Sequence, residues 1–157
     1  MYLIHIKTKT KFVAEIVAMS ELKLEAEFLE DSFSFDWSQM LDYDIFAIRI
    51  ENDNKIQGLM ALRNIPDELR VEIMLLESSK ENVGENKVYE RTAGCLIAFA
   101  CRYSFLKGYG GFVSLIPKTR LIEHYKEAYG FEQFGRQLAT ETQNSQQLIK
   151  KYIADEA

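Results

Sequence analysis

The alternation of hydrophobic and polar positions predicts β-strands through the middle of the chain. Apolar runs at 44–51 and 55–63 are separated by Asn-Asp-Asn, which is a turn signal, and a third run at 71–77 follows a polar connection at 67–70. Runs of this length joined by short polar turns are typical of neighbouring antiparallel strands. Residues 44–77 are therefore predicted to form an antiparallel meander.

Beyond residue 90 the spacing indicates helices and strands in alternation. A helix is predicted at 92–107, and Gly108 supplies its stop signal. The further predicted elements are a strand at 111–116, a helix at 120–129 closed by Gly130, a strand at 131–140 and a helix at 145–153. The helical crossover between the strands at 71–77 and 111–116 implies a parallel pair. We therefore expect an α/β (α+β) fold: a mixed, mostly antiparallel sheet with a locally parallel central strand pair and flanking helices.

The first part of the chain is less regular. Residues 3–8 alternate weakly and suit a strand, whereas 12–19 fit either a helix or a strand. From Ser20 onward a helix is favoured. Residues 33–37, Phe-Ser-Phe-Asp-Trp, form an aromatic loop, and its rings either line a pocket or plug the core.

Composition restricts the class of protein. A chain of 157 residues with 47% hydrophobic residues is expected to form one domain with a sizeable core. The net charge of -5 argues against a nucleic-acid partner, because phosphate neutralisation needs a dense basic face.

No apolar run approaches the roughly 18 residues of a membrane span, and the start shows no signal-peptide pattern, so no membrane partner and a cytoplasmic location are expected. Cys95 and Cys101 fall on different faces of one predicted helix, which indicates reduced core thiols.

The start of the helix at 92–107 is a candidate anion site. Thr92, Ala93 and Gly94 are small, so a ligand could approach the backbone N–H groups that a helix leaves unpaired at its first turn. Arg91 adds a cation that we expect to be exposed and able to bind phosphate. Thr92 has a second interpretation as a simple helix N-cap.

Two motifs resemble those of the GNAT acyltransferase superfamily. In that family the fourth strand, here 71–76, precedes a loop of the form Gln or Arg, two residues, Gly, one residue, and Gly or Ala. With Leu96-Ile97 setting the register, Val88, Arg91 and Ala93 occupy those three positions, so Val replaces Gln or Arg and Arg replaces Gly.

The second motif of the family runs from an Asn through Ala-Ile and a Tyr to Gly-Phe. The residues at these positions are Lys118, Leu121, Ile122, Tyr125 and Gly130-Phe131, with Lys in place of Asn, His124 at the apolar position before the Tyr, and one extra residue before Gly130. The resemblance implies one GNAT-like domain over 1–157. Within it, 1–43 would form the acceptor side, 44–137 the CoA-binding core and 138–157 the C-terminal helix.

The resemblance also implies acetyl-CoA as co-substrate. The pyrophosphate would lie at the start of the helix at 92–107, and the pantetheine arm would pair with the strand at 71–77 if that strand separates from its neighbour at 111–116. The residues that would bind acetyl-CoA are Leu75, Leu76, Glu77, Ser78, Arg91, Thr92, Ala93, Gly94 and Lys118.

Two residues are candidates for proton transfer. Glu72 stands where some members of the family have a catalytic glutamate, and Tyr125 is a candidate general acid for the departing thiolate. Alternatively, Glu72 is a solvated strand-end carboxylate and Tyr125 a core tyrosine. His124 is interpreted as a surface or acceptor-site residue. The spacing of His and Cys forms no metal site.

Two functions therefore stay open. The first is an acyl-CoA-dependent N-acyltransferase, in particular an N-acetyltransferase acting on a small-molecule amine or a protein amino group. The second is a GNAT-like module that has lost transfer and serves CoA binding, structure or interaction. An acidic protein attracts a cationic acceptor. Neither function excludes a homodimer.

Overall fold

A β-sheet is the framework of the structure, which is a computed structural model that describes residues 1–21 and 26–153. Within these ranges a nine-stranded sheet has the order β6-β1-β2-β3-β4-β5-β7-β9-β8. The strands are β1 (Tyr2–His5), β2 (Lys11–Ala18), β3 (Asp44–Ile50), β4 (Ile56–Ile65), β5 (Arg70–Ser78), β6 (Tyr89–Glu90), β7 (Val113–Leu115), β8 (Glu132–Phe134) and β9 (Gln137–Thr140). The helices are α1 (Ala26–Ser32), α2 (Thr92–Leu106), α3 (Ile122–Tyr129) and α4 (Thr142–Tyr152).

The predicted fold class is confirmed. β5 and β7 are parallel, with Val71 opposite Val113 and Ile73 opposite Leu115, while β1–β2, β2–β3, β7–β9 and β8–β9 are antiparallel pairs. The long α2 crossover between β5 and β7 is what makes a parallel pair sterically feasible.

The chain divides into two compact units. The first comprises Met1–Ala61 with Leu75–Leu96, and its buried residues include Leu3, Ile48 and Leu59. The second comprises Leu62–Met74 and the chain from Ile97 onward, and its buried residues include Val113 and Leu138. Their borders fall inside β4, β5 and α2, and the expectation of a single domain stays a prediction.

Several predicted elements are confirmed and others are corrected. The region 12–19, left open between helix and strand, forms β2, because both of its edges pair, with β1 and with β3. The helix expected from Ser20 is a short 3-10 turn at Met19–Glu21 followed by α1, with 22–25 outside the described residues. The single strand predicted at 131–140 is wrong: β8 and β9 form a hairpin whose turn contains Gly135, at a φ of 67° that favours glycine.

The two cysteines of α2 lie in the core, as the sequence predicted. Cys95 and Cys101 are both buried free thiols, and burial raises the pKa of Cys95 to about 11 and that of Cys101 to about 12. No helix within the described ranges has both the length and the apolar character needed to cross a bilayer.

Candidate active site

The backbone at Arg91 has the conformation of a glycine. Its φ is 86°, in the left-handed region, and its carbonyl accepts the first helical hydrogen bond of α2, from the N–H of Cys95 at 2.9 Å. A non-glycine residue in the left-handed conformation costs roughly 1–2 kcal/mol. The GNAT loop motif has a glycine at this position, and Arg91 adopts the same left-handed turn with a side chain.

The side chain of Arg91 is half-buried, so the expectation of an exposed cation is wrong. Its guanidinium lies over the Tyr2 ring, 4.0 Å from the centroid, and its Nε donates to the Tyr2 carbonyl oxygen at 3.1 Å. An arginine gains from stacking on an aromatic face as well as from the hydrogen bond. Arg91 therefore ties strand β1 to the start of α2.

Thr92 is buried at the first residue of α2, and its hydroxyl is unpaired. The side chain is 3% exposed, and no partner for Oγ1 exists in the described part of the chain. Thr92 is consequently not a hydrogen-bonding N-cap. A buried hydroxyl without a partner costs roughly 1–3 kcal/mol, which a ligand atom or water could recover. Its methyl group faces Gly58 of β4, where an added Cβ would lie 2.6 Å from the Thr92 Cγ2 atom.

The second half of β5 extends past its pairing with β7. The described register between the two strands ends at Ile73, whereas β5 continues to Ser78. Leu75, Leu76, Glu77 and Ser78 are all half-buried. An extended ligand can pair with strand backbone of this kind through main-chain hydrogen bonds.

The carboxylate of Glu77 is engaged with the aromatic loop. It accepts hydrogen bonds from Ser34 N at 2.6 Å, Phe35 N at 3.2 Å and the indole Nε1 of Trp37 at 2.9 Å. Any contribution of Glu77 to cofactor binding therefore falls to its backbone. The interaction of Glu77 with the aromatic loop was not predicted from the sequence. Two features of the sequence indicate it: Glu77 is an acidic residue on an apolar strand, and the indole N–H of Trp37 needs an acceptor when it is buried.

The aromatic loop both fills the core and forms a groove. Phe33 and Trp37 are 2% and 3% exposed, with their rings packed edge to face, whereas Phe35 is 48% exposed. Two rings therefore plug the core, as one interpretation expected, and the third is available to a ligand. A groove of about 480 Å³ is lined by Leu29, Glu30 and residues 33–38.

Glu72 is held in an ion-pair network on β5. Its side chain is 12% exposed, and its Oε2 lies 3.7 Å from Nη1 of Arg70. The same Nη1 donates to the hydroxyl of Ser114 at 2.6 Å, and Arg70 also pairs with Glu68 at 2.7 Å. The alternative of a solvated strand-end carboxylate is therefore wrong, because Glu72 is mostly buried and paired.

Tyr125 lies half-buried on α3. Burial raises the pKa of its hydroxyl. Its ring packs edge-on against Phe131 and beside Tyr129, and no hydrogen-bond partner of its hydroxyl is found in the described ranges. His124 is exposed, as expected, and its ring contacts that of Tyr125.

The candidate residues fall into two groups. The first unit holds 75–78 of β5 together with Arg91, Thr92, Ala93 and Gly94 at the start of α2. The second unit holds Glu72, Lys118 and Tyr125; Lys118 is exposed and precedes a 3-10 turn at Thr119–Leu121. Among the described residues, no group of three or more His, Cys, Asp or Glu side chains is placed to hold a metal ion.

Comparison with protein-family models and with characterised sequences gives no match, whereas many solved structures match. The spermidine/spermine N-acetyltransferase SpeG from Vibrio cholerae, in mutant form, has a TM-score of 0.57 at 14% identity, over 92% of this chain and 98% of that one. Tetrahymena GCN5 has a TM-score of 0.56 at 8% identity, over 84% and 97%. The chain has the GNAT acetyltransferase fold.

A third matching structure contains bound acetyl-CoA. A mutant of the AtaT toxin, bound to the C-terminus of the antitoxin AtaR and to acetyl-CoA, has a TM-score of 0.61 at 10% identity, over 88% of this chain and 99% of that one. Identities this low establish the shared fold alone, so function has to be argued from the residues described above.

Proposed function

We propose that this protein is an N-acetyltransferase that moves the acetyl group of acetyl-CoA to an amine. The observation that carries the proposal is the start of α2, where Arg91 keeps a glycine-like backbone and Thr92 leaves a buried hydroxyl unpaired. A helix N-terminus offers N–H donors and the positive end of the helix dipole, which suit a pyrophosphate. The Thr92 hydroxyl, which has no partner among the described residues, would supply a further donor if the ligand reaches it.

The backbone of 75–78 supports the same proposal. Pantetheine is an extended, amide-rich chain, and β5 continues past its last pair with β7 over this stretch. Main-chain hydrogen bonds to β5 would hold the arm without requiring particular side chains. The exposed cation of Lys118 is an additional candidate for contact with the cofactor.

The chemistry assigns one proton transfer to each candidate residue. Glu72 removes a proton from the acceptor ammonium, and the free amine nitrogen attacks the thioester carbonyl carbon. The C–S bond then breaks, and the CoA sulfur takes its proton from the Tyr125 hydroxyl. The nitrogen of the new amide releases its second proton, which restores the tyrosine. Burial raises the pKa of the Tyr125 hydroxyl, so its proton is present when the thiolate forms. Because a tyrosine is a weaker acid than a thiol, the proton transfer has to accompany cleavage of the C–S bond.

A CoA-binding module without transfer is the second candidate. The ion pair of Glu72 with Arg70 favours it, because a carboxylate oxygen held 3.7 Å from a guanidinium already has a partner other than the acceptor amine. Titration calorimetry with CoA, followed by an assay of thiol release from acetyl-CoA across a panel of amines, separates the candidates. Binding with release supports the enzyme, binding without release supports the module, and no binding contradicts both.

A further inference from the structure

Glu77 connects the strand proposed for pantetheine to the aromatic loop. Its two carboxylate oxygens divide the donors between them: Oε2 accepts from Ser34 N, and Oε1 accepts from Phe35 N and Trp37 Nε1. Bonds from N–H groups to an ionised carboxylate are shorter and stronger than neutral ones, as the 2.6 Å bond to Ser34 illustrates. One side chain therefore fixes both the backbone and the indole of this loop.

Fixing the loop also fixes the groove beside it. Phe33 and Trp37 are buried on either side of Phe35, so the backbone between them cannot shift without disturbing the core. The Phe35 ring is left partly exposed at the groove. Binding sites held by supporting hydrogen bonds lose less free energy to ordering when the ligand arrives.

The chemistry of the groove selects a class of ligand. Of the described residues that line it, Glu30 and Asp36 are carboxylates and none is Lys or Arg, while Leu29 and Phe35 contribute apolar surface. Oδ1 of Asp36 already accepts from Ser38, and the Lys80 ammonium donates to the Glu30 carbonyl oxygen at 3.5 Å, so Oδ2 of Asp36 and the Glu30 carboxylate are the oxygens left for a ligand. Carboxylates attract an ammonium group, and an exposed aromatic ring adds cation–π attraction. A hydrophobic substituent on the amine would pack on the same ring.

We propose that Glu77 is a positioning residue that holds this groove as the acceptor site, and that the acceptor is a primary ammonium carrying an apolar or aromatic group. The inference rests on the proposed acetyltransferase function. Glu77 acts through residues 34–37 rather than on the substrate, because its carboxylate is already occupied by the loop.

The single tryptophan of the chain makes the site directly observable. Trp37 is the only Trp in the sequence, so its emission reports on the groove without a label. The probe is 2-phenylethylamine, with 2-phenylethanol as its uncharged counterpart and spermidine as a polycation without an aromatic group. We expect 2-phenylethylamine to change the emission of Trp37 and to be acetylated, and the two comparison compounds to bind at least about ten-fold more weakly, which corresponds to one lost charged or apolar contact.

Glu77→Gln tests the positioning role. Glutamine keeps the size and one acceptor oxygen but turns an NH₂ group toward an N–H donor. We expect an altered Trp37 emission spectrum and a KM for 2-phenylethylamine raised about ten-fold, with the Kd for CoA unchanged within about two-fold. Glu51→Gln, an exposed glutamate in the turn after β3, is the matched control and should change none of these quantities.

The outcomes separate the two proposals. An unchanged KM and emission spectrum in Glu77→Gln, or tighter binding of spermidine than of 2-phenylethylamine, would overturn the acceptor-site proposal while CoA binding still supports the transferase. Absence of CoA binding in the wild type, with a Trp37 response to 2-phenylethylamine, would reject the transferase and leave an ammonium site. If Glu77→Gln does not fold, Trp37→Phe removes the indole donor to Glu77 together with part of the buried ring. An unchanged KM in that variant would equally overturn the proposal, because the groove would then keep its shape without this bond.

Discussion

Arg91 and Tyr2 form a contact that joins the start of the chain to the start of helix α2. The guanidinium lies 4.0 Å from the centroid of the Tyr2 ring, and its Nε donates to the Tyr2 carbonyl oxygen at 3.1 Å. The residue that replaces a glycine in the resembling motif has therefore acquired a structural contact. Any binding experiment on Arg91 has to be interpreted together with its effect on stability.

Arg91→Glu should lower the stability of the protein as well as its affinity for CoA. Loss of the cation–π contact and of the carbonyl bond should reduce the free energy of unfolding by about 1–2 kcal/mol, measured by urea denaturation. Arg102→Glu, on an exposed position of the same helix, is the control and should stay within about 0.5 kcal/mol of the wild type. Equal stability of Arg91→Glu and the wild type would show that the contact with Tyr2 contributes nothing.

Thr92→Val separates ligand binding from folding. Valine has nearly the shape of threonine and removes only the unpaired hydroxyl, so the free energy of unfolding should stay unchanged or rise by about 1 kcal/mol. If that hydroxyl binds the pyrophosphate, calorimetry should show a Kd for CoA raised about ten-fold. An unchanged Kd would place the pyrophosphate away from Thr92.

Gly58→Ala should destabilise the protein by about 1–3 kcal/mol through overpacking, because the new Cβ would lie 2.6 Å from Cγ2 of Thr92. Thr92→Ser removes that methyl group and keeps the hydroxyl. The double variant Gly58→Ala with Thr92→Ser should therefore recover much of the loss, a non-additive result expected for residues in contact. Additive losses in thermal melts of the single and double variants would contradict the packing described between β4 and α2.

Tyr125→Phe should slow acetyl transfer and leave the fold intact. General acid catalysis contributes about 10²–10⁴-fold, so the rate of thiol release from acetyl-CoA should fall by that range. The Tyr125 hydroxyl has no partner in the described ranges, so the melting temperature should not change. Tyr109→Phe provides the contrast, because its hydroxyl donates to Asn64 Oδ1 at 2.7 Å and its loss should affect stability but not turnover. A full rate in Tyr125→Phe would exclude the hydroxyl as the proton donor.

Local sequence signals were sufficient to predict β5 and most of the elements that follow it in the chain. The helical spacing ahead of Gly108 predicted α2, and the apolar run at 71–77 predicted β5, because each pattern depends on residues within a few positions of one another. The same reasoning left 12–19 open. Its apolar residues fit two periodicities, and only pairing with β1 and β3 decided for a strand.

The sequence by itself determined the class of fold and the position at which helix α2 begins, after Arg91. Tertiary structure alone decided the partners of the charged residues. Arg91 meets a residue 89 positions away, and Glu77 meets Trp37 across 40 positions. Contacts of this separation leave no periodic signal in the chain, because they depend on how the sheet brings distant strands and loops together rather than on the spacing of neighbouring side chains. For that reason the sequence predicted an exposed cation where the structure has an arginine stacked on Tyr2, and it did not predict that the Glu77 carboxylate holds the aromatic loop.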